Sequence, residues 1–125
     1  MVNSLEAAQL MAEAADEKKA YDILILDLRG LTYFADYFVI CSGSNTAQVG
    51  AIADQILQVL ARHGVHASHV EGQAASTWVL MDYGDVVVHV FDEQTRIYYS
   101  LEKLWNEAPR VQHRINRRSL QGASS

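Results

Sequence analysis

Residues 78–91, Trp-Val-Leu-Met-Asp-Tyr-Gly-Asp-Val-Val-Val-His-Val-Phe, read as two strands joined at Tyr83-Gly84-Asp85. Alternation puts Trp78, Leu80 and Asp82 on one side of the first arm and Val79, Met81 and Tyr83 on the other. On the second arm Val86, Val88 and Val90 share one side, and Val87, His89 and Phe91 the other. Both faces are therefore apolar, and a hairpin of this kind cannot lie bare on a domain surface. One face must pack on a helix, and the other needs a second helix or another molecule. The turn itself asks only for a residue tolerant of positive φ, which Gly84 supplies. An indole, a phenol, two carboxylates and an imidazole exceed that need, and such groups on a rigid element mark a surface for a partner.

The rest of the chain supplies the cover. Asn3 and Glu6 have the spacing of a capping box, and Leu5, Ala8, Ala12 and Ala15 recur at helical spacing, which predicts a helix over about 4–19. Continuous apolar runs at 21–28 and 36–42 predict strands buried on both faces, joined by a loop at 29–35. Gly43 ends the second strand. Ser44, Asn45 or Thr46 can then cap a helix whose Val49, Ile52, Ala53, Ile56, Val59 and Leu60 form one face, with Gly64 ending it. A strand over 66–70, a polar loop over 71–77 and the hairpin follow. The stretch 95–101 is ambiguous between helix and turn, and 101–105 reads as a short helix stopped by Pro109. This pattern predicts one α/β (α+β) domain over 1–108, with a mixed five-stranded sheet and helices packed on it. Residues 109–125 read as a flexible basic tail.

Charge narrows the class of partner. The net charge is −5, and all 15 acidic residues precede Pro109, whereas Arg110, Arg114, Arg117 and Arg118 follow it. An acidic body opposes a phosphate backbone, so sequence-specific nucleic-acid binding is not expected. No apolar run approaches the roughly 18 residues of a membrane span, and the first residues lack a basic and apolar leader pattern. The expected location is the cytoplasm. The lone Cys41 lies in an apolar strand and reads as a small buried hydrophobe.

Enzyme signatures are weak. Ser42-Gly43-Ser44, between a strand and a helix start, could seat an anion and resembles the Gly-Ser that opens nucleotidyltransferase sites. The following strand has no carboxylate pair to hold metal, so this nucleotide-binding or transferase reading stands as the alternative. His63, His66 and His69 cannot converge on a metal, because Gly64 separates the first two and strand alternation the last two. His63 is placed instead at a helix C-terminus. His89, between valines, reads as a hydrogen-bonded sheet histidine. No Walker loop, dinucleotide fingerprint, Cys-x-x-Cys or nucleophile elbow is present, so neither catalysis nor a cofactor or metal is expected.

Asp27-Leu-Arg-Gly30, Asp36 through Ser44, Glu71-Gly72, the 78–91 block and Tyr98-Tyr-Ser-Leu-Glu-Lys-Leu-Trp105 together resemble the ribosomal silencing factor (Iojap) family, in order, over about 4–106. The resemblance implies a nucleotidyltransferase-like fold without transferase activity. It further implies binding to the large ribosomal subunit through ribosomal protein L-fourteen, a steric block to joining of the small subunit, lowered translation when nutrients are short, and homodimers. Carried onto this chain, the recognition surface comprises Trp78, Met81, Asp82, Tyr83 and His89, with Leu101, Glu102 and Trp105 as candidates. Met81 stands where an aliphatic such as leucine is common, a volume-conserving difference.

Overall fold

The computed structural model describes residues 2–115. The elements run α1 (Ser4–Glu17), β1 (Tyr21–Asp27), β2 (Tyr37–Gly43), α2 (Thr46–Arg62), β3 (His69–Glu71), β4 (Trp78–Asp82), β5 (Val86–Asp92), α3 (Glu93–Tyr99), α4 (Leu101–Leu104) and β6 (Arg110–Val111). They form one mixed α/β unit around a six-stranded sheet of order β3-β4-β5-β2-β1-β6. At its centre β2 and β5 run parallel, in register from Tyr37 opposite Val86 to Gly43 opposite Asp92, and every other pairing is antiparallel.

Strand alternation divides the interior into two cores. Ile25, Tyr37, Val39, Cys41, Val79, Met81, Val86, Val88 and Val90 point to one face, where α1 and α2 cover them. Leu26, Phe38, Ile40, Val87 and Phe91 point to the other, met by Leu28, Ala35, Ala108, Leu101 and Trp105. The first core is roofed by two long helices. The second has only loop 29–35 and the chain from α3 to Ala108 above it.

The helices begin where side chains satisfy their free amides. Asn3 accepts from the Glu6 amide at 2.8 Å, and Asn45 from the Gln48 amide at 2.8 Å. The small residues Ala7, Ala8, Ala12, Ala14 and Ala15 of α1 are buried and admit the apolar face of α2 (Val49, Ile52, Ala53, Ile56, Leu60). Cys41 is fully buried, as expected, and burial pushes its thiol up to about 12.

Three expectations change. The sheet has six strands, not five, because Arg110–Val111 pairs with Ile25 and Leu26. The body therefore does not end at 108. The Gln9 side chain donates to Gln112 O at 3.0 Å and accepts from the Arg114 amide at 2.9 Å, and the Arg114 guanidinium pairs with Glu6 at 2.8 Å and Glu13 at 3.0 Å. Residues 116–125 of the expected tail lie outside the described residues. The ambiguous stretch is helical from Glu93, because the Asp92 carboxylate caps α3 through the Thr95 amide at 2.8 Å, and Ser100 (φ 48°) then separates α3 from α4.

Two glycines differ in a way that stability measurements resolve. Gly84 at the hairpin turn has φ 88° with open space around it, whereas a Cβ on Gly72 (φ 89°) would overlap the carbonyl of Trp78. Gly84→Ala should cost only the left-handed penalty of about 1–2 kcal/mol. Gly72→Ala should cost about 1–3 kcal/mol more, because the β3–β4 connection must shift. Urea denaturation of the two variants checks the ordering.

Candidate partner-binding face

The hairpin register fixes which of its side chains meet solvent. Trp78 lies opposite Phe91, Leu80 opposite His89 and Asp82 opposite Val87, all on the face away from α1 and α2. The next strand adds Glu71, opposite Leu80, and His69, opposite Asp82, to the same face. Trp78, Leu80 and Asp82 are half-buried there.

An aromatic chain runs beneath and beside them. Trp78 stacks on Phe91 with ring centroids 4.9 Å apart and touches Tyr99 at 4.7 Å. His89 meets Phe38 edge-on at 4.6 Å, and Phe38 continues to Trp105 at 5.9 Å and Phe34 at 6.3 Å. Contacts of this geometry add to plain area burial and hold each ring at a set angle. The Trp78 indole N–H donates to His89 Nδ1 at 3.1 Å. That bond requires a neutral His89 with its proton on Nε2, and burial does keep the ring neutral, pushing its pKa down to about 4. Nε2 is buried, with no hydrogen-bond partner among the described residues. His89 is 4% exposed and holds Trp78 in place from beneath.

The expected contact residues do not all reach this face. Met81 is fully buried, and Tyr83 packs on the same helix-side core, where burial pushes its phenol up to about 12. Both follow the parity of Val79, and their place beside Trp78 in sequence hides that they point the other way. Asp82 Oδ1 accepts from the Gly84 amide at 2.8 Å, so this carboxylate shapes the turn while lying on the Trp78 side. Leu101 and Trp105 cover the second core and remain half-exposed.

Glu102 has an internal task. It accepts from Arg96 Nε at 3.0 Å, and Arg96 Nη1 donates to Asp22 O at 2.7 Å and Ser42 Oγ at 2.8 Å. This buried arginine ties α3 and α4 to β1 and β2 and so fixes the segment that carries Tyr99 and Trp105.

Several surface groups escaped sequence reasoning. Leu31, Tyr33 and Phe34 are exposed on loop 29–35, Tyr33 fully so. The loop stands on a rigid base: Arg29 pairs with both Asp27 oxygens at 3.0 and 2.8 Å and lies over the Tyr37 ring. The hydrogen bonds from Arg29 hold the Asp27 carboxyl below its usual range. Ile97, Tyr98, Tyr99 and Leu104 are likewise exposed. The adjacent tyrosines after Ile97 were the available signal.

The segment Ser42–Ser44 is engaged internally. Ser42 is buried against Arg96, the Ser44 amide and hydroxyl both bond Gln48 Oε1, and a Cβ on Gly43 would crowd Val49. Asp92 lies opposite Gly43, but it caps α3, and Glu93 accepts from the Tyr21 hydroxyl at 2.9 Å. His63 Nδ1 lies 2.9 Å from the Val59 carbonyl at the end of α2, and His69 pairs with Glu71 at 2.8 Å. Among the described residues no group of three or more His, Cys, Asp or Glu side chains could hold a metal, and no helix is long and apolar enough to cross a membrane.

The family model described as "ribosomal silencing factor during starvation" matches residues 2–125. The chain belongs to the ribosomal silencing factor family. It is 46% identical over 108 residues to the ribosomal silencing factor of Bacillus subtilis, covering 86% of this chain and 92% of that protein. The factor of Halalkalibacterium halodurans is 43% identical over 111 residues, covering 89% of this chain and 95% of that one. A crystal structure of a Chromobacterium violaceum protein superimposes with a TM-score of 0.82 at 33% identity, covering 92% of this chain and 95% of that one. Members are named as regulatory silencing factors, and the family resemblance seen in the hairpin block is thereby established.

The Trp78–His89 bond makes a pH prediction. An unfolded histidine titrates near 6.5, above the value of about 4 that the folded protein imposes on His89. The unfolded state therefore binds the extra proton between these values, and the contribution of neutral His89 to stability is present above pH 6.5 and lost as pH falls towards 4. Thermal melts from pH 7.5 to 4.5 should show a steeper loss in wild type than in His89→Asn. Parallel curves would contradict the assignment.

Proposed function

We propose that this chain binds the large ribosomal subunit through ribosomal protein L-fourteen, sterically blocks joining of the small subunit, and so represses translation under nutrient limitation. Family membership supports the silencing role. The observation that carries the docking reading is the half-open sheet face. There Trp78 and Leu80 are presented beside Asp82 and Glu71, and β3, β4 and β5 carry no lysine or arginine. A basic ribosomal protein is the natural complement. Trp78, Leu80 and Trp105 supply desolvated area, while the rim carboxylates set encounter rate and register more than affinity. The silencing mechanism needs no catalytic group. It works in the cytoplasm by occupying the subunit-joining face, and a second copy of the chain forms a homodimer.

On this reading the contact set is Trp78, Leu80, Asp82 and Trp105, with Leu101 at its edge. Met81, Tyr83, His89 and Glu102 support these residues from within. Trp78→Ala should weaken binding to the isolated ribosomal protein at least tenfold, as for a central aromatic anchor. Asp82→Asn keeps the acceptor for the Gly84 amide and should mainly slow association. Wild-type kinetics in both variants, with native circular dichroism, would show that the face is misassigned. In sedimentation assays, saturating protein should keep purified subunits apart, and unimpeded joining would refute the silencing mechanism.

The alternative, a nucleotide-binding or transferase site at Ser42–Ser44, competes with the internal bonds those residues make. Calorimetry with nucleoside triphosphates and magnesium distinguishes it: saturable micromolar binding favours that reading.

A further inference from the structure

One groove on the open face has a composition of its own. Thr77, Trp78, Gln94, Thr95, Tyr98 and Tyr99 line about 440 Å³ beside the start of β4. Tyr98 and Tyr99 stand nearly perpendicular, with interplanar angle 88° and centroids 5.0 Å apart, and Tyr99 leans on Trp78 at 4.7 Å. The corner is prebuilt. Trp78 is held from below by Phe91 and through its indole N–H by His89, while Tyr98 is 81% and Tyr99 50% exposed. Leaving two adjacent tyrosines so exposed does nothing for either core.

We propose that this aromatic corner receives an arginine side chain of the basic partner, with the guanidinium against the Tyr98 and Tyr99 rings. The proposal rests on the docking reading above and names the chemistry of recognition at one end of that face. Ring faces attract cations, and among the described residues no lysine or arginine lines the groove to compete. Asp92 and Glu93 open α3 immediately before Gln94 in sequence, and the chain as a whole is acidic, with a net charge of −5. Among the described residues the lining contains no carboxylate, and its uncharged side-chain acceptors are the Thr77, Thr95, Tyr98 and Tyr99 hydroxyls and the Gln94 amide oxygen. A flat, weakly hydrated guanidinium suits such a site better than a compact, strongly hydrated ammonium. A stacked nucleobase would use the same rings but would bring a phosphate against a chain of net charge −5.

The test uses the full chain, ¹⁵N-labelled, titrated by NMR with acetyl-Gly-Arg-Gly-amide and with the same peptide carrying citrulline, which keeps the shape and removes the charge. The arginine peptide should shift the Trp78 indole resonance saturably in the millimolar range, about fivefold more tightly than the citrulline peptide. Tyr98→Leu should abolish the preference and Tyr98→Phe should keep it. Equal binding of the two peptides, an unchanged preference in Tyr98→Leu, or tighter binding of uridine monophosphate than of the arginine peptide would overturn the proposal. Co-sedimentation with large subunits separates the two levels. If Trp78→Ala loses binding while Tyr98→Leu binds like wild type, the docking face stands and the arginine corner falls. If neither variant weakens binding, both fall.

Discussion

The parallel pairing of β2 with β5 at the centre of the sheet governs the rest of the molecule. It joins two strands that are apolar on both sides, so each face must be covered, and α1 and α2 are long enough to roof only one of them. The other is closed by short pieces: loop 29–35 and the chain from α3 to Ala108. Arg96 makes that partial cover possible. Its three bonds, to Asp22 O, Ser42 Oγ and Glu102, convert an otherwise weakly packed segment into a fixed one. A buried guanidinium left without such partners would be strongly unfavourable, so the bonds and the segment stand together.

The half-covered face is where aromatic side chains collect. Aromatic side chains are there because the sheet is apolar on that side, and they are ordered because each ring leans on the next. The His89–Trp78 bond gives the clearest link between packing and function. A histidine kept neutral by burial holds the indole of Trp78, the anchor of the proposed docking face. The acidic groups around the face, Asp82 and Glu71, are also partly committed to local structure, Asp82 through the turn amide and Glu71 through His69. The turn amide thus fixes the position of the Asp82 carboxylate, which favours a defined register with the proposed basic partner.

Much of this was legible from residue order. Period-two alternation separated the two faces of the hairpin, and the caps at Asn3 and Asn45 lie where short polar side chains precede apolar periodicity. What was not legible depends on distant pairing. Arg110–Val111 follows a proline within an arginine-bearing stretch and becomes a strand only because β1 offers a free edge. The polar run Asp92-Glu93-Gln94-Thr95 hides a helix start that the Asp92 cap makes plain. For the site, grouping residues by their nearness in the Trp78–Tyr83 block placed Met81 and Tyr83 on the contact surface, although alternation alone sends them to the helices. The exposed Leu31–Phe34 loop and the Tyr98–Tyr99 pair went unassigned because composition does not say which aromatics turn outward.

Site-specific photo-cross-linking on the large subunit addresses the central claim most directly. A benzophenone side chain would be placed in turn at position 80, on the open face, at 98, on its rim, and at Gln58, exposed on the outer side of α2. If the proposed face docks on the large subunit, positions 80 and 98 cross-link to one of its proteins and position 58 does not. Cross-links from 58, with 80 and 98 silent, would contradict it and would move the partner to the helical side of the sheet.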